Sequence, residues 1–161
     1  MKKDLLIQYE EFTDFDLIPK SERELMNKAI SSLNKSYAPY SQFNVGSAVL
    51  LNNDVIIVGN NQENSSFPCG ICAERVAVFS AMSTYPNAII KKIAITAGSK
   101  NFNLQSPVGP CGLCRQVLIE YEEKQRFDIA ILLFNNKKII KLAKAKDLLP
   151  FHFKENNLKR T

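Results

Sequence analysis

Cys72-Ala73-Glu74-Arg75-Val76-Ala77-Val78-Phe79-Ser80-Ala81-Met82 is apolar on nearly every side except at Glu74 and Arg75. A helix that is apolar all round is a buried helix. Two charged residues in its first turn must then meet specific partners. Cys72, just ahead of this helix, is the second cysteine of Cys69-Gly70-Ile71-Cys72, and the only other cysteines form Cys111-Gly112-Leu113-Cys114. Two C-x-x-C pairs tens of residues apart signal zinc. The single histidine, His152, leaves any metal site mainly sulfur.

Strand and helix patterns flank this segment on both sides. Upstream, Val45 to Leu51 and Val55 to Val58 are apolar and largely β-branched, with Asn52-Asn53-Asp54 between them as a hairpin turn. Earlier still, Ser21-Glu22-Arg23-Glu24 reads as a capping box, and Leu25, Met26, Ala29, Ile30 and Leu33 recur on one helical face. That helix should stop before Tyr37-Ala38-Pro39, because a residue preceding proline avoids the helical region. Downstream, Ile89 to Thr96 is a strand, and Leu113, Val117, Leu118 and Tyr121 mark a helix opening at the second cysteine pair. Phe127 to Phe134 and Ile139 to Leu142 are further strands. The order α-β-β-α-β-α-β-β predicts a three-layer α/β domain, a central mixed five-stranded sheet flanked by helices. Residues 1–20 show no periodicity and read as an irregular extension to a single domain over residues 21–161.

Bulk properties bound the function. The chain has 161 residues, 45% of them hydrophobic and 23% charged, which suits a single soluble domain. No run approaches a membrane span, and the basic start turns polar before a signal-peptide core could form. A cytoplasmic location is the expectation. The net charge of +5 could suit nucleic acid, but the lysines are scattered without an aromatic stripe. We expect neither a nucleic-acid nor a membrane partner.

Two kinds of zinc site compete. A structural site closes with four thiolates; a catalytic site uses three protein ligands and leaves a position for water. Here Cys72 opens one helix, and Cys111 and Cys114 span the start of another. Helix N-termini favour thiolate over thiol. Residues three apart on one turn can face the same metal. Glu74 stands beside Cys72 without needing to be a ligand. Spacing thus favours the catalytic site and leaves Cys69 as a candidate fourth sulfur. The bland reading of Cys69 is a small side chain in the preceding loop.

Cys72-Ala73-Glu74-Arg75 together with Pro110-Cys111-Gly112-Leu113-Cys114-Arg115-Gln116 resembles the zinc nucleoside deaminases, and cysteine in the first position resembles their short, homotetrameric cytidine deaminase branch. Further segments agree: Tyr40-Ser41-Gln42-Phe43-Asn44-Val45-Gly46-Ser47-Ala48, Asn61-Gln62-Glu63-Asn64-Ser65-Ser66, and Leu148-Leu149-Pro150-Phe151-His152-Phe153. The likeness runs from about Ser21 to Phe153.

The resemblance implies hydrolytic deamination of cytidine and deoxycytidine to uridine and deoxyuridine, as in pyrimidine salvage. It implies one Zn2+ per subunit on Cys72, Cys111 and Cys114, with Glu74 as the proton carrier. Three thiolates leave zinc with a net negative charge, which Arg75 and Arg115 could offset by donating to the sulfurs. Asn61 and Glu63 would bind the sugar hydroxyls, Ser66 and Ala73 the base edge through their backbones, and Phe43 would line the pocket. Phe153, or Phe151 beside it, would reach the site of a neighbouring subunit in a homotetramer. A carboxylate near the 3′-hydroxyl would repel a 3′-phosphate, so a free nucleoside is the implied substrate. Alternatives are a deaminase of another aminopyrimidine such as blasticidin S, and a non-catalytic four-cysteine zinc module.

Overall fold

A computed structural model describes residues 1–158. Its sheet has six strands: β1 (Glu10–Phe12), β2 (Phe43–Leu51), β3 (Ile56–Asn60), β4 (Ile90–Ser99), β5 (Ala130–Phe134) and β6 (Ile139–Leu142). They lie in the order β1-β6-β5-β4-β2-β3. Only β4 and β5 run parallel; every other neighbouring pair is antiparallel. Three helices cover the sheet: α1 (Lys20–Leu33), α2 (Ala73–Thr84) and α3 (Gly112–Gln125).

Alternation along the strands builds the two sides of the core. On β4, Ile93 and Ile95 join the cluster that holds Ala77, Val78 and Ala81 of α2 and Leu118 and Ile119 of α3. Ala94, between them, joins the cluster of Leu25, Met26 and Ala29 from α1. On β5, Ile131 and Leu133 face the first cluster, Leu132 and Phe134 the second. The expected three layers are therefore α1, the sheet, and the α2–α3 pair. Period-2 burial on both faces is what a covered sheet requires.

Four expectations need correction. The sheet has six strands instead of five, because residues read as irregular supply an edge strand. Glu10, Glu11 and Phe12 pair with Lys141, Ile140 and Ile139 of β6, and Lys138 forms an ion pair with Glu11 at 3.3 Å. Next to it, Phe12, Phe15 and Ile18 pack on the α1 side of the core. Second, Ser21 is not the N-cap of α1. Pro19 holds that position, and its carbonyl accepts from the Glu22 and Arg23 amides at 2.9 and 3.0 Å. Third, α2 is not buried all round. Ala73, Glu74, Ala77, Val78 and Ala81 form its buried stripe, while Phe79 is exposed. The helix covers one face of one sheet, and its outer side leaves Phe79 exposed among the described residues. Fourth, Asp54 alone of the hairpin turn takes the left-handed conformation, at φ 61°, and β3 begins two residues later at Ile56.

Two glycines set how closely the layers approach. A Cβ on Gly59 of β3 would stand 2.4 Å from both the Ala73 carbonyl oxygen and the Ala77 nitrogen of α2. A Cβ on Gly46 of β2 would stand 2.0 Å from the Ala29 carbonyl oxygen of α1. Backbone thus packs directly on backbone where α2 begins, and this fixes the height of Cys72 and Glu74 above the sheet.

Candidate metal centre and adjoining cavity

Two helix N-termini converge on three sulfurs. Cys72 is the N-cap of α2, extended at φ −75°, ψ 153°, and its carbonyl accepts from the Arg75 and Val76 amides, both at 3.1 Å. Cys111 is the N-cap of α3, at φ −66°, ψ 167°, and its carbonyl accepts from the Arg115 amide at 2.9 Å. Neither side chain caps its helix, so both sulfurs are free to point at a common centre. Cys114 joins them from the first turn of α3 and is fully buried. The Cys72 and Cys111 sulfurs lie 3.7 Å apart, those of Cys111 and Cys114 lie 3.5 Å apart, and all three fall within 4.8 Å.

These distances test whether zinc fits. Zn–S bonds of about 2.3 Å in tetrahedral geometry place sulfurs about 3.8 Å apart. The Cys72–Cys111 and Cys111–Cys114 pairs are already near that spacing, and all three sulfurs lie within 4.8 Å of one another. The cluster also has the electrostatics. A hydrogen bond shared with Cys114 holds the Cys72 thiol well below its ordinary pKa, against the effect of burial, and Arg75 adds to the lowering. The same shared bond, with burial, pushes Cys114 up. The Arg75 guanidinium lies against the Cys72 and Cys114 sulfurs.

Cys69 stands apart from the three sulfurs. It is exposed, and Gly70 and Ile71 carry the chain away from it in extended conformation. Reciprocal 2.9 Å hydrogen bonds between Ile71 and Gln62 hold that course. The metal-ligating group found among the described residues is Cys72, Cys111 and Cys114. Three thiolates leave one position of a tetrahedron open, the arrangement of a catalytic site.

Glu74 lies behind Cys72, only 5% exposed. Its Oε2 has no hydrogen-bond partner. Burial raises its pKa to about 7, and the nearby Cys72 charge pushes the same way. A buried carboxyl poised near neutrality, with one oxygen free of any hydrogen bond, is suited to take up and release a proton. Arg75 Nε is likewise buried without a partner.

A cavity of about 660 Å³ reaches the cluster at Cys72 and Arg75, and Tyr40, Asn61, Glu63 and Leu113 are among its walls. Asn61 Oδ1 accepts from the Val45 amide at 2.7 Å, and its Nδ2 donates to the Phe43 carbonyl at 2.9 Å. Glu63 Oε2 accepts from the amides of Tyr40 (2.9 Å) and Ser41 (3.3 Å), and Oε1 accepts from the Ser41 hydroxyl. These bonds outweigh the opposing effect of partial burial and hold the Glu63 pKa below the usual carboxylate value. Both side chains are thereby fixed as part of the wall. Sequence reasoning missed the Tyr40 and Ser41 amides as the brace for Glu63. Backbone donors leave no signature in residue type.

Other anticipated residues are placed differently. Ala73 is wholly buried at the start of α2. The Ser66 amide donates to Asn64 within its own loop. Phe43 stacks on Phe102 at 6.2 Å, and that contact anchors the loop before Pro110. Phe153 is held on the outside of α3: its amide and carbonyl bond the Gln116 side chain at 3.2 and 3.0 Å, and the ring is 70% exposed. Neither Phe153 nor Phe151 is among the residues lining the cavity of the same chain. Arg115 is a correction. Its Nε donates to the Pro110 carbonyl at 2.8 Å and its Nη1 to the Leu148 carbonyl at 2.9 Å. It braces the turn before Cys111 instead of donating to the sulfurs, because a residue one position past Cys114 points to another side of the helix.

The family model for the cytidine and deoxycytidylate deaminase zinc-binding region matches residues 19–129. The chain belongs to this family. A cytidine deaminase from Sporosarcina psychrophila is 34% identical over 135 residues, covering 84% of this chain and 93% of that protein. One from Halalkalibacterium halodurans is 42% identical over 96 residues, 60% of this chain and 68% of that protein. The crystal structure of cytidine deaminase from Burkholderia pseudomallei superposes with a TM-score of 0.68 at 33% identity, over 81% of this chain and 98% of that one. In the deaminase fold of this chain, the matched region takes in α1, the zinc-ligand turns and α3. The edge strand β1 lies ahead of it.

Proposed function

We propose that the chain is a zinc-dependent hydrolase that converts cytidine and deoxycytidine to uridine and deoxyuridine with release of ammonia. The observation that carries this is three sulfurs clustered within 4.8 Å beside a buried Glu74 whose Oε2 has no hydrogen-bond partner. Zn2+ on Cys72, Cys111 and Cys114 would supply Lewis acidity and a water acidified for attack. Glu74 would take a proton from that water and deliver it to the ring nitrogen. It would then take the remaining proton of the hydroxyl added at C4 and pass it to the departing amine, which leaves as ammonia while the C4 carbonyl forms. Arg75 would spread the thiolate charge and so strengthen the metal as an acid.

Of the remaining assignments, Asn61 and Glu63 stand in the cavity wall, while Ala73 and Ser66 rest on the family resemblance. Asn61 and Glu63 would hold the sugar hydroxyls, and the negative Glu63 disfavours a phosphate there. The substrate is then a free nucleoside and not a polynucleotide. Ala73 and Ser66 would meet the base edge. On this reading residues 21–161 carry the catalytic groups, and residues 10–20 add an edge strand and core residues to the same domain. Described helices include none long and apolar enough to cross a membrane, and we place the enzyme in the cytoplasm. We further propose a homotetramer, in which exposed Phe79 on α2 is covered and Phe153 enters a neighbour's cavity.

Loss of cytidine absorbance by the purified, zinc-loaded protein is the direct test. Turnover of cytidine supports the reading. Zinc bound without turnover of any aminopyrimidine nucleoside would sink it, and turnover of blasticidin S alone would reassign the substrate.

A further inference from the structure

Residues 1–9 belong neither to the sheet nor to the region shared with the family. The family match begins at residue 19. Glu10 of β1 is already opposite Lys141, and β6 ends one residue later at Leu142, so the chain before Tyr9 outruns its sheet neighbour. Among the described residues, no hydrogen bond or ion pair ties residues 1–9 to the body. Yet the segment is apolar: Leu5, Leu6, Ile7 and Tyr9 are all exposed. It leads into β1, which is the edge of the sheet and has a free row of backbone groups on its outer side.

The segment Lys2-Lys3-Asp4-Leu5-Leu6-Ile7-Gln8-Tyr9-Glu10-Glu11 is basic at one end and acidic at the other. Laid antiparallel on itself, such a strand sets cation against anion at both ends. We propose that residues 2–10 pair antiparallel with the same residues of a second copy of this chain, Leu6 against Leu6, joining two sheets edge to edge about a two-fold axis.

The register follows from symmetry and charge. In an antiparallel ladder, hydrogen-bonded and non-hydrogen-bonded pairs alternate, so a two-fold axis must pass through a pair of identical residues. With the axis at Leu6, Lys2 faces Glu10, Lys3 faces Tyr9, Asp4 faces Gln8 and Leu5 faces Ile7. Leu5, Ile7 and Tyr9 then share one face with their counterparts. Moving the axis to Ile7 sets Asp4 against Glu10, a repulsion that offsets the attraction of Lys3 for Glu11. Moving it to Leu5 sets Lys2 against Gln8 and Lys3 against Ile7, and leaves no opposite-charge pair. Only the Leu6 register of the three satisfies both the charges and the apolar stripe. The acidic Glu10 and Glu11 also deter edges that lack a matching cation.

Charge exchange tests this directly. The full chain should sediment as an assembly at least twice the mass of a form lacking residues 1–9, with turnover per subunit unchanged. Lys2→Glu and Glu10→Lys, each alone, place like charges opposite one another twice per pairing and should weaken it roughly tenfold. Mixed together, the two variants present opposite charges at both positions and should associate as tightly as the unaltered protein. Equal mass with and without residues 1–9 would overturn the proposal, as would failure of the mixture to recover association.

Discussion

The sulfurs of Cys72 and Cys111 lie 3.7 Å apart, although 39 residues separate them in the chain and each caps a different helix. The relationship is built by the sheet. Gly59 lets β3 carry the start of α2 close, and the β4–β5 crossover brings the start of α3 beside it. Two helix dipoles then favour thiolate at the same point.

Replacing Glu74 with Gln keeps the shape of the side chain and removes the proton relay. General acid–base catalysis contributes about 10²–10⁴-fold, so kcat should fall by at least that order while one zinc per subunit is retained. Metal analysis alongside steady-state kinetics reads both quantities. Undiminished turnover would refute the role.

Cys69→Ala should leave zinc content and kcat unchanged, because the exposed Cys69 lies outside the sulfur cluster. Cys111→Ala should lose zinc. Loss of metal from the first variant would mean a closed four-sulfur site and would contradict the open coordination position.

Glu122 is 1% exposed, and its carboxylate accepts from the amides of Ile129 (2.9 Å), Ala145 (2.6 Å) and Lys146 (3.2 Å). Glu122→Ala strands buried donors and should cost about 2–4 kcal/mol, given about 1–3 kcal/mol for each unsatisfied group with some relief from water. Urea unfolding measures it. A change below about 0.5 kcal/mol, the range of ordinary surface substitutions, would show that the clamp contributes nothing.

Glu22, also 1% exposed, meets Lys92 and Lys141. Burial alone would raise its pKa, but the hydrogen bonds and charges of the two lysines outweigh it and leave the value lowered. A group depressed on folding stabilises above its unfolded pKa, and that stability is lost as pH falls through the folded value. The stability gap between the unaltered protein and Glu22→Gln should therefore be flat above about pH 5 and shrink below the ordinary carboxylate pKa of about 4.3. Thermal unfolding across pH 3–7 reports it, with the opposite slope as the refuting result.

Most of the fold was legible because burial imposes period. The stripes of α1 and the alternation of β2, β4 and β5 are local patterns, and β6 falls over Ile139–Leu142 as expected. The first strand was not legible. Glu10-Glu11-Phe12 is too short to alternate, and its pairing depends on a partner about 130 residues away. The Ser21 cap failed for a related reason: Pro19 and Ser21 both suit a helix start, and packing of Ile18 decided between them. At the site, the ligand sulfurs and Glu74 stood out because few other roles explain their spacing. Arg115 did not, since one guanidinium can serve a sulfur or a carbonyl equally well.

Arg115 also links two moments in the life of the chain. All three candidate ligands have been synthesised once Cys114 is made, yet the guanidinium that braces Pro110 needs the Leu148 carbonyl. Leu148 follows Cys114 in the chain, so a nascent chain holds all three sulfurs before their turn can be braced. Chains cut short before residue 148 would carry every ligand and still hold metal loosely.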